Sequence, residues 1–458
     1  MSKAFDAIII GAGQAGPVLA SRLTAAGQTV AYVERKLFGG TCVNTGCTPT
    51  KAMVASAYAA HLARRGAEYG VGTGPITVDI KAVQARRDAI VMKSRTGVEE
   101  SLRKNEKCTV FVGTARFESA TTVRVGEDLL EAKQIFVNVG GRATVPDMPG
   151  VHEIPYLTNT SLLALETLPK HLVIVGGSYI GIEFGQMYRR FGSEVTIIEK
   201  ASRLVAKEDE DVSAAVKEIL EGEGITVRLN AECIHMAADG EGVSVGVNCA
   251  ESDHPTVGSH VLLAVGRTPN TQDLGLDKAG VEVDERGYIV VDDQLRTSVP
   301  GIYAMGDCNG KGAFTHTAYN DFEIVAANLL DGDPRRVSDR IPCYAMYMDP
   351  PLARIGMTER EVRATGKPAL IGTRPMTRVN RALEKGESLG FMKVLVDVET
   401  KKILGASLLG VGCDEAIHGL LDVMYAEAPY TTISRAAHIH PTVSELIPTL
   451  LQGLKPLV

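Results

Sequence analysis

An apolar strand that runs into a glycine turn and then a helix occurs twice in this chain, at matched spacing. The first copy is AIIIGAGQAG, with Gly11, Gly13 and Gly16; the second is VIVGGSYIG, with Gly176, Ser178 and Gly181. Gly11 to Glu34 and Gly176 to Glu199 are both 23 residues, and Gly11 to Gly27 and Gly176 to Gly192 are both 16. Each copy reads strand, turn, helix, glycine, strand, acid. In such a unit the first glycine makes the tight turn, the middle one admits a pyrophosphate, and the third lets helix pack on strand. The closing acid is suited to ribose hydroxyls. One copy is weak evidence, whereas two in register point to two nucleotide-binding units. Ser178 stands where a middle glycine is expected and narrows the space for phosphates.

Directly after the first copy, GGTCVNTGCTPTK carries Cys42 and Cys47. A helical start would let them meet across a turn. Alone, such a pair also suits two small buried hydrophobes. A pair of thiols just beyond a nucleotide site suggests electron traffic between a cofactor and a disulfide. Lys51 and Glu183 stand near the starts of the two motif helices, either as surface charges or as an ion pair near the cofactor. In the tail, His440 is followed by Pro441, Thr442 and Glu445. A carboxylate in reach of an imidazole holds its tautomer and raises its proton affinity, as acid–base work on a thiol requires. The plain alternative is a histidine capping a surface helix. His438 and His440 have no further ligand nearby, so no metal site is expected. The remaining cysteines, Cys108, Cys233, Cys249, Cys308, Cys343 and Cys413, read as buried thiols.

At 458 residues the chain exceeds one hydrophobic core, and two to four domains are expected. Net charge is −7, with basic pairs scattered, which argues against nucleic acid as a main partner. No apolar run is long enough to span a membrane. The first strand starts by about residue 6, leaving no room for a signal peptide, so a cytoplasmic location is expected. There a disulfide is more often catalytic than structural. The expected fold is α/β, with two Rossmann-like nucleotide-binding domains and an α+β C-terminal domain. Residues 1–150 hold the first unit and the cysteine pair, and 151–270 the second. Residues 271–335 return to the first, and 336–458 form the last domain. TVFVGTARF and TTVRVG read as a small antiparallel excursion. QIFVNVGG, with Gly140, returns to the first sheet; VLLAVGRTPN, with Gly266, closes the second unit; GIYAMGDC carries Asp307.

Together these motifs resemble the pyridine nucleotide–disulfide oxidoreductases, the family of dihydrolipoamide dehydrogenase, glutathione reductase and mercuric reductase, over essentially the whole chain. The resemblance implies FAD in the first unit, NAD(P)H in the second, and a homodimer whose last domain is the dimerisation domain. It implies a Cys42–Cys47 redox disulfide, with Cys47 beside the flavin and Cys42 meeting substrate. Lys51 and Glu183 would pair near the flavin, Asp307 would contact its ribityl or phosphate region, and Tyr179 would cover it until nicotinamide enters. The His440–Glu445 pair would serve the other subunit. Glu199 favours NADH, because a carboxylate repels a 2′-phosphate. Mercuric reductases share GGTCVNTGC and THTAYND, but they carry a C-terminal cysteine pair; here no cysteine follows Cys413. GCDEAIHG resembles glutathione reductases, whose glutathione-binding arginine is replaced by Ser21. The expected activity is NAD(P)H-driven reduction of a small disulfide, the alternative being a metal-ion reductase.

Overall fold

The computed structural model describes residues 2–247 and 254–457. Two five-stranded sheets, each wholly parallel, carry the nucleotide motifs. In the first the spatial order is Ile302–Ala304, Gln134–Val137, Ala7–Ile10, Val30–Glu34 and Cys108–Val112. In the second it is Tyr156–Leu157, His260–Leu263, His171–Val175, Glu194–Ile198 and Thr226–Arg228. Central strands covered on both faces are apolar along their whole length, and AIII and VAYVE are buried at every position. The segment TVFV belongs to the first parallel sheet as its edge, pairing with Val30–Glu34, and not to the antiparallel excursion. That excursion consists of Ala115–Phe117, Thr122–Val125 and Asp128–Glu131. An alternating pattern marks a strand with one wetter face, and an edge strand of a parallel sheet shows the same pattern.

From Cys343 onward a six-stranded antiparallel sheet forms, with Leu352–Gly356, Ile403–Leu409 and Phe391–Asp397 at its centre. The helix Cys413–Tyr425 buries Ile417 and Leu420 against Ile355 and Leu408 of this sheet. Among the described residues no helix is long and apolar enough to cross a membrane. Cys108, Cys308 and Cys413 are buried thiols, and Cys343 is half-buried. Cys233, expected as a thiol, is instead disulfide-bonded. Cys249 lies outside the described residues.

The glycine turns follow from steric limits. Gly11 and Gly176 adopt φ of +100° and +116°. At each, a Cβ would lie 2.4 Å from the carbonyl oxygen just past the end of a neighbouring strand, Asn138 O or Ala264 O. At Gly181 a Cβ would sit 2.0 Å from Gly176 O, a backbone atom that cannot step aside. At Gly185, one turn later, its nearest neighbours would be side-chain carbons, the Cδ1 atoms of Ile197 and Ile174 at 3.2 and 3.3 Å. Gly181→Ala is therefore expected to destabilise by about 1–3 kcal/mol and Gly185→Ala by much less, measured by denaturant unfolding. Equal costs would contradict this account of the helix–turn contact.

Candidate active site

Each fingerprint is closed by a carboxylate that binds two backbone amides. Glu34 accepts from Ala12 N and Lys36 N, both at 2.7 Å. Glu199 does the same with Gly177 N at 2.6 Å and Ala201 N at 2.7 Å. These bonds tie the end of the second strand to the glycine turn. A carboxylate has about four acceptor sites, so capacity remains for a ribose. The helices that follow, Ala15–Ala25 and Tyr179–Phe191, have no side chain capping their N-termini. Apart from Gly16 N–H, which donates to Gly13 O at 3.2 Å, the first N–H groups remain open to a phosphate, and no side chain competes for them.

A cavity of about 920 Å³ runs from Gly11, Gly13 and Glu34 past Gly140 and Asp307 to Cys47, Lys51 and Glu183. That is the upper end of the size range for cofactor sites. Its middle is held by a partly buried network. Arg267 donates to Asp307 at 3.0 Å and to Gly141 O at 2.6 Å. Asp321 accepts from Gly306 N and Asn309 Nδ2, both at 2.8 Å, which fixes the turn bearing Asp307.

The two cysteines lie on separate helices, Gly40–Thr45 and Cys47–Arg64, not on one helical start. Gly46 interrupts the helix between them with φ −131° and ψ −119°, and a Cβ there would come within 2.9 Å of Thr41 O. Asn44 donates to Phe38 O and Gly40 O, both at 2.9 Å, and accepts from Arg95 Nε at 2.6 Å, holding the first helix in place. Across the break the Cys42 thiol donates to Cys47. That bond draws the Cys47 thiol down to about 6, against its partial burial and helped by Thr315 and Lys51. The same bond raises the Cys42 thiol far above its ordinary range, with burial adding to the effect. Thr315 Oγ1 lies 3.3 Å from Cys47 Sγ.

Lys51 Nζ meets Glu183 Oε2 at 2.6 Å, and Glu183 is 4% exposed. Tyr347 completes the pair: its backbone N–H donates to Glu183 Oε1 at 2.8 Å, and its ring lies 4.8 Å from Lys51 Nζ. Tyr179 also lines the cavity. Ser178 and Gly266 stand at the second fingerprint and the return strand, as their motifs require. His440 Nδ1 lies 2.9 Å from Glu445 Oε2, with the imidazole 67% exposed and the carboxylate 14% exposed. The pair lies outside the walls of the cavity within its own chain. Thr315, Tyr347 and Arg267 escaped the sequence reading, although THTAYND and VGRTPN marked two of them.

Residues 5–321 match the pyridine nucleotide-disulphide oxidoreductases, and residues 343–451 match the dimerisation domain of that family. The chain belongs to this family. As a member it is a flavoprotein oxidoreductase that uses FAD and NAD(P)H and acts on sulfur groups. It is 36% identical to the probable pyridine nucleotide-disulfide oxidoreductase RclA of Escherichia coli, over 98% of this chain and 99% of that one. It is 34% identical to the mitochondrial dihydrolipoyl dehydrogenase of Pisum sativum, covering 96% of this chain and 90% of the relative. A solved Cu(II) complex of RclA, an HOCl-induced flavoprotein disulfide reductase from Escherichia coli, superimposes with a TM-score of 0.90 at 35% identity, covering 98% and 99% of the two chains. The residues present fit FAD: an uncapped helix start for the pyrophosphate, Glu34 for the adenosine end, and a long cavity that reaches the thiols.

The hydrogen bond between the thiols sets a measurable ionisation. In reduced enzyme the Cys47 thiolate is expected to form with a midpoint near pH 6. Cys42→Ser keeps a donor and should leave that midpoint nearly in place. Cys42→Ala removes it and should raise the midpoint by about 1–2 pH units, the worth of one hydrogen bond to an anion. Ultraviolet thiolate absorbance against pH reads both, and identical midpoints in the two variants would contradict the bond.

Proposed function

We propose that the chain is a homodimeric NAD(P)H:disulfide oxidoreductase that passes two electrons through Cys42 and Cys47 to a small disulfide. The observation that carries this reading is the pair of cysteines, Cys42 and Cys47, brought together at the end of the nucleotide cavity beside the Lys51–Glu183 ion pair. FAD held in this cavity would supply the two-electron relay between the nicotinamide cofactor and the disulfide. Lys51 neutralises charge that gathers on Cys47, and buried Glu183 with Tyr347 holds Lys51 in place. Asp307, set by Arg267 and the Asp321 turn, orients the cofactor along the cavity.

Cys42 keeps its proton while it serves Cys47, so its attack on substrate needs a base. His440 of the partner subunit supplies one. Its outward-facing imidazole, held by Glu445 and flanked by Ile439 at 80% exposure, suits a group that works across a two-fold axis. The imidazole takes the Cys42 proton as Cys42 Sγ attacks one sulfur of the substrate, and it returns that proton to the departing thiolate. The Cys47 thiolate then attacks Cys42 Sγ and expels the second thiolate, which takes a proton from water. One NAD(P)H and one proton thus yield NAD(P)⁺ and two thiols from each disulfide. Glu199 favours NADH, and NADH should exceed NADPH in kcat/KM by about tenfold or more. A strong preference for NADPH would remove that role.

A second reading is reduction of a soft metal ion by the same thiols. A mercuric reductase of Bacillus cereus is 32% identical over 94% of this chain, and the RclA structure holds Cu(II). Among the described residues no group of three or more His, Cys, Asp or Glu side chains converges as a metal site. Turnover with oxidised glutathione, lipoamide, other small disulfides, Hg²⁺ and Cu²⁺ separates the readings; exclusive turnover of metal ions would displace the disulfide.

The shared site has a direct test. Cys42→Ser and His440→Gln homodimers should each be nearly inactive. Refolded together at random, half of the dimers are mixed and each carries one intact site. Activity should return to about a quarter of the wild-type value. Subunit exchange without such recovery would place the dyad within one chain.

A further inference from the structure

Beside the thiols lies a second feature with no place in the scheme above, a cluster of four rings. Phe314 is at its centre. Its ring lies nearly parallel to Tyr344, at 5.6 Å and 4°, and to His316, at 5.3 Å and 11°. It lies 5.6 Å from Tyr179, tilted by 42°. The backbone of Phe314 is fixed as well: its N–H donates to Thr317 Oγ1 at 3.1 Å, at the start of the helix Thr315–Ala326. Tyr179, Phe314 and His316 line the cavity, whereas Tyr344 leads away from it into the antiparallel sheet.

The far end of the cluster is anchored. The Tyr344 hydroxyl donates to Glu208, a carboxylate with no solvent exposure. Glu208 also accepts from Arg354 Nη1 at 3.3 Å, on the neighbouring strand. The next residue, Asp209, binds the buried Lys393 at 3.0 Å, and Lys393 also meets Asp211 and Glu359 at 2.8 and 3.2 Å. Glu208 comes from the segment that precedes the helix Glu210–Gly222, beside the second nucleotide sheet; Tyr344, Arg354 and Lys393 come from the C-terminal sheet. A buried carboxylate bonded on two sides is costly to displace, so it is a firm anchor. His316 is held separately, through its Nε2 and Cys343 O at 2.8 Å.

We propose that Phe314 is a positioning residue of the nicotinamide step: clamped by Tyr344 and His316, it holds the Tyr179 ring at rest in the cavity, and Glu208 sets the clamp through the Tyr344 hydroxyl. The inference rests on the reading that the nicotinamide enters past Tyr179. A ring packed against an aromatic partner resists displacement, and an incoming nicotinamide must overcome that contact. Weakening the clamp therefore tightens nicotinamide binding, the reverse of what a damaged site does.

The test uses the FAD-loaded dimer and NAD⁺, which binds without reducing it. Calorimetry gives the dissociation constant, and a flavin difference spectrum reports the ring's departure. Phe314→Leu should lower the NAD⁺ dissociation constant about threefold to tenfold, the range expected for one lost aromatic contact. Phe314→Tyr should restore it to within about twofold. Tyr344→Phe, which keeps the ring and drops only the hydroxyl, should lower it by a smaller factor. In steady state the KM for NADH should fall with kcat unchanged. Unchanged or weaker NAD⁺ binding in Phe314→Leu, with normal FAD content, overturns the proposal. Tyr179→Ala separates the two levels. If it tightens NAD⁺ binding and Phe314→Leu does not, only the clamp fails; if neither does, the entry path past Tyr179 fails and the clamp with it.

Discussion

The helix break at Gly46 makes the thiol pair possible. A continuous helix would hold Cys42 and Cys47 on its own surface, with both sulfurs in equivalent settings. The break puts Cys47 at the first position of a new helix and leaves Cys42 on the preceding one, so that one sulfur donates and the other receives. Two chemically identical side chains become a proton holder and an anion. Much of the surrounding structure preserves that difference: Asn44 and Arg95 fix the first helix, Thr315 adds a second donor to Cys47, and Lys51 supplies the positive charge.

The two nucleotide units show how a repeated local rule is adapted to two tasks. Glu34 and Glu199 make the same pair of amide bonds, and Gly11 and Gly176 press against a neighbouring strand at the same distance. The strand-end glutamate thus shapes the turn before any ribose arrives. Ser178 in the second copy is exposed and leaves the turn itself intact. Room at that position matters only to the bound phosphates.

What could be read from the sequence divides along contact range. Glycine turns, their closing acids and the His440–Glu445 contact, five residues apart, depend on local geometry and were legible. The Lys51–Glu183 contact spans 132 residues and was legible because both residues hold matching places in two recognisable motifs. Thr315 lies in a recognisable motif, but nothing in that motif names its partner, and Tyr347 has no marker at all. Thr315 reaches Cys47 across 268 residues, and Tyr347 reaches Glu183 across 164, through packing that no spacing encodes. The strand TVFV failed for a related reason: its alternation shows one wet face, while its partner strand is chosen by the whole sheet. Cys233 failed because a cysteine's bonding depends on what stands opposite it in space.

The Lys51–Glu183 pair also bears on how the reduced and oxidised forms differ. With the cysteines joined, the end of the cavity holds one ammonium and one carboxylate and is neutral overall. With the cysteines open, above about pH 6, the Cys47 thiolate makes the same space singly negative. Glu183 is too deeply buried for water to screen it well, so its charge is felt at Lys51 and at Cys47. Nicotinamide is cationic only after it has given up its hydride. A cationic nicotinamide brought to this end of the cavity would therefore meet one more negative charge in the reduced form than in the oxidised one.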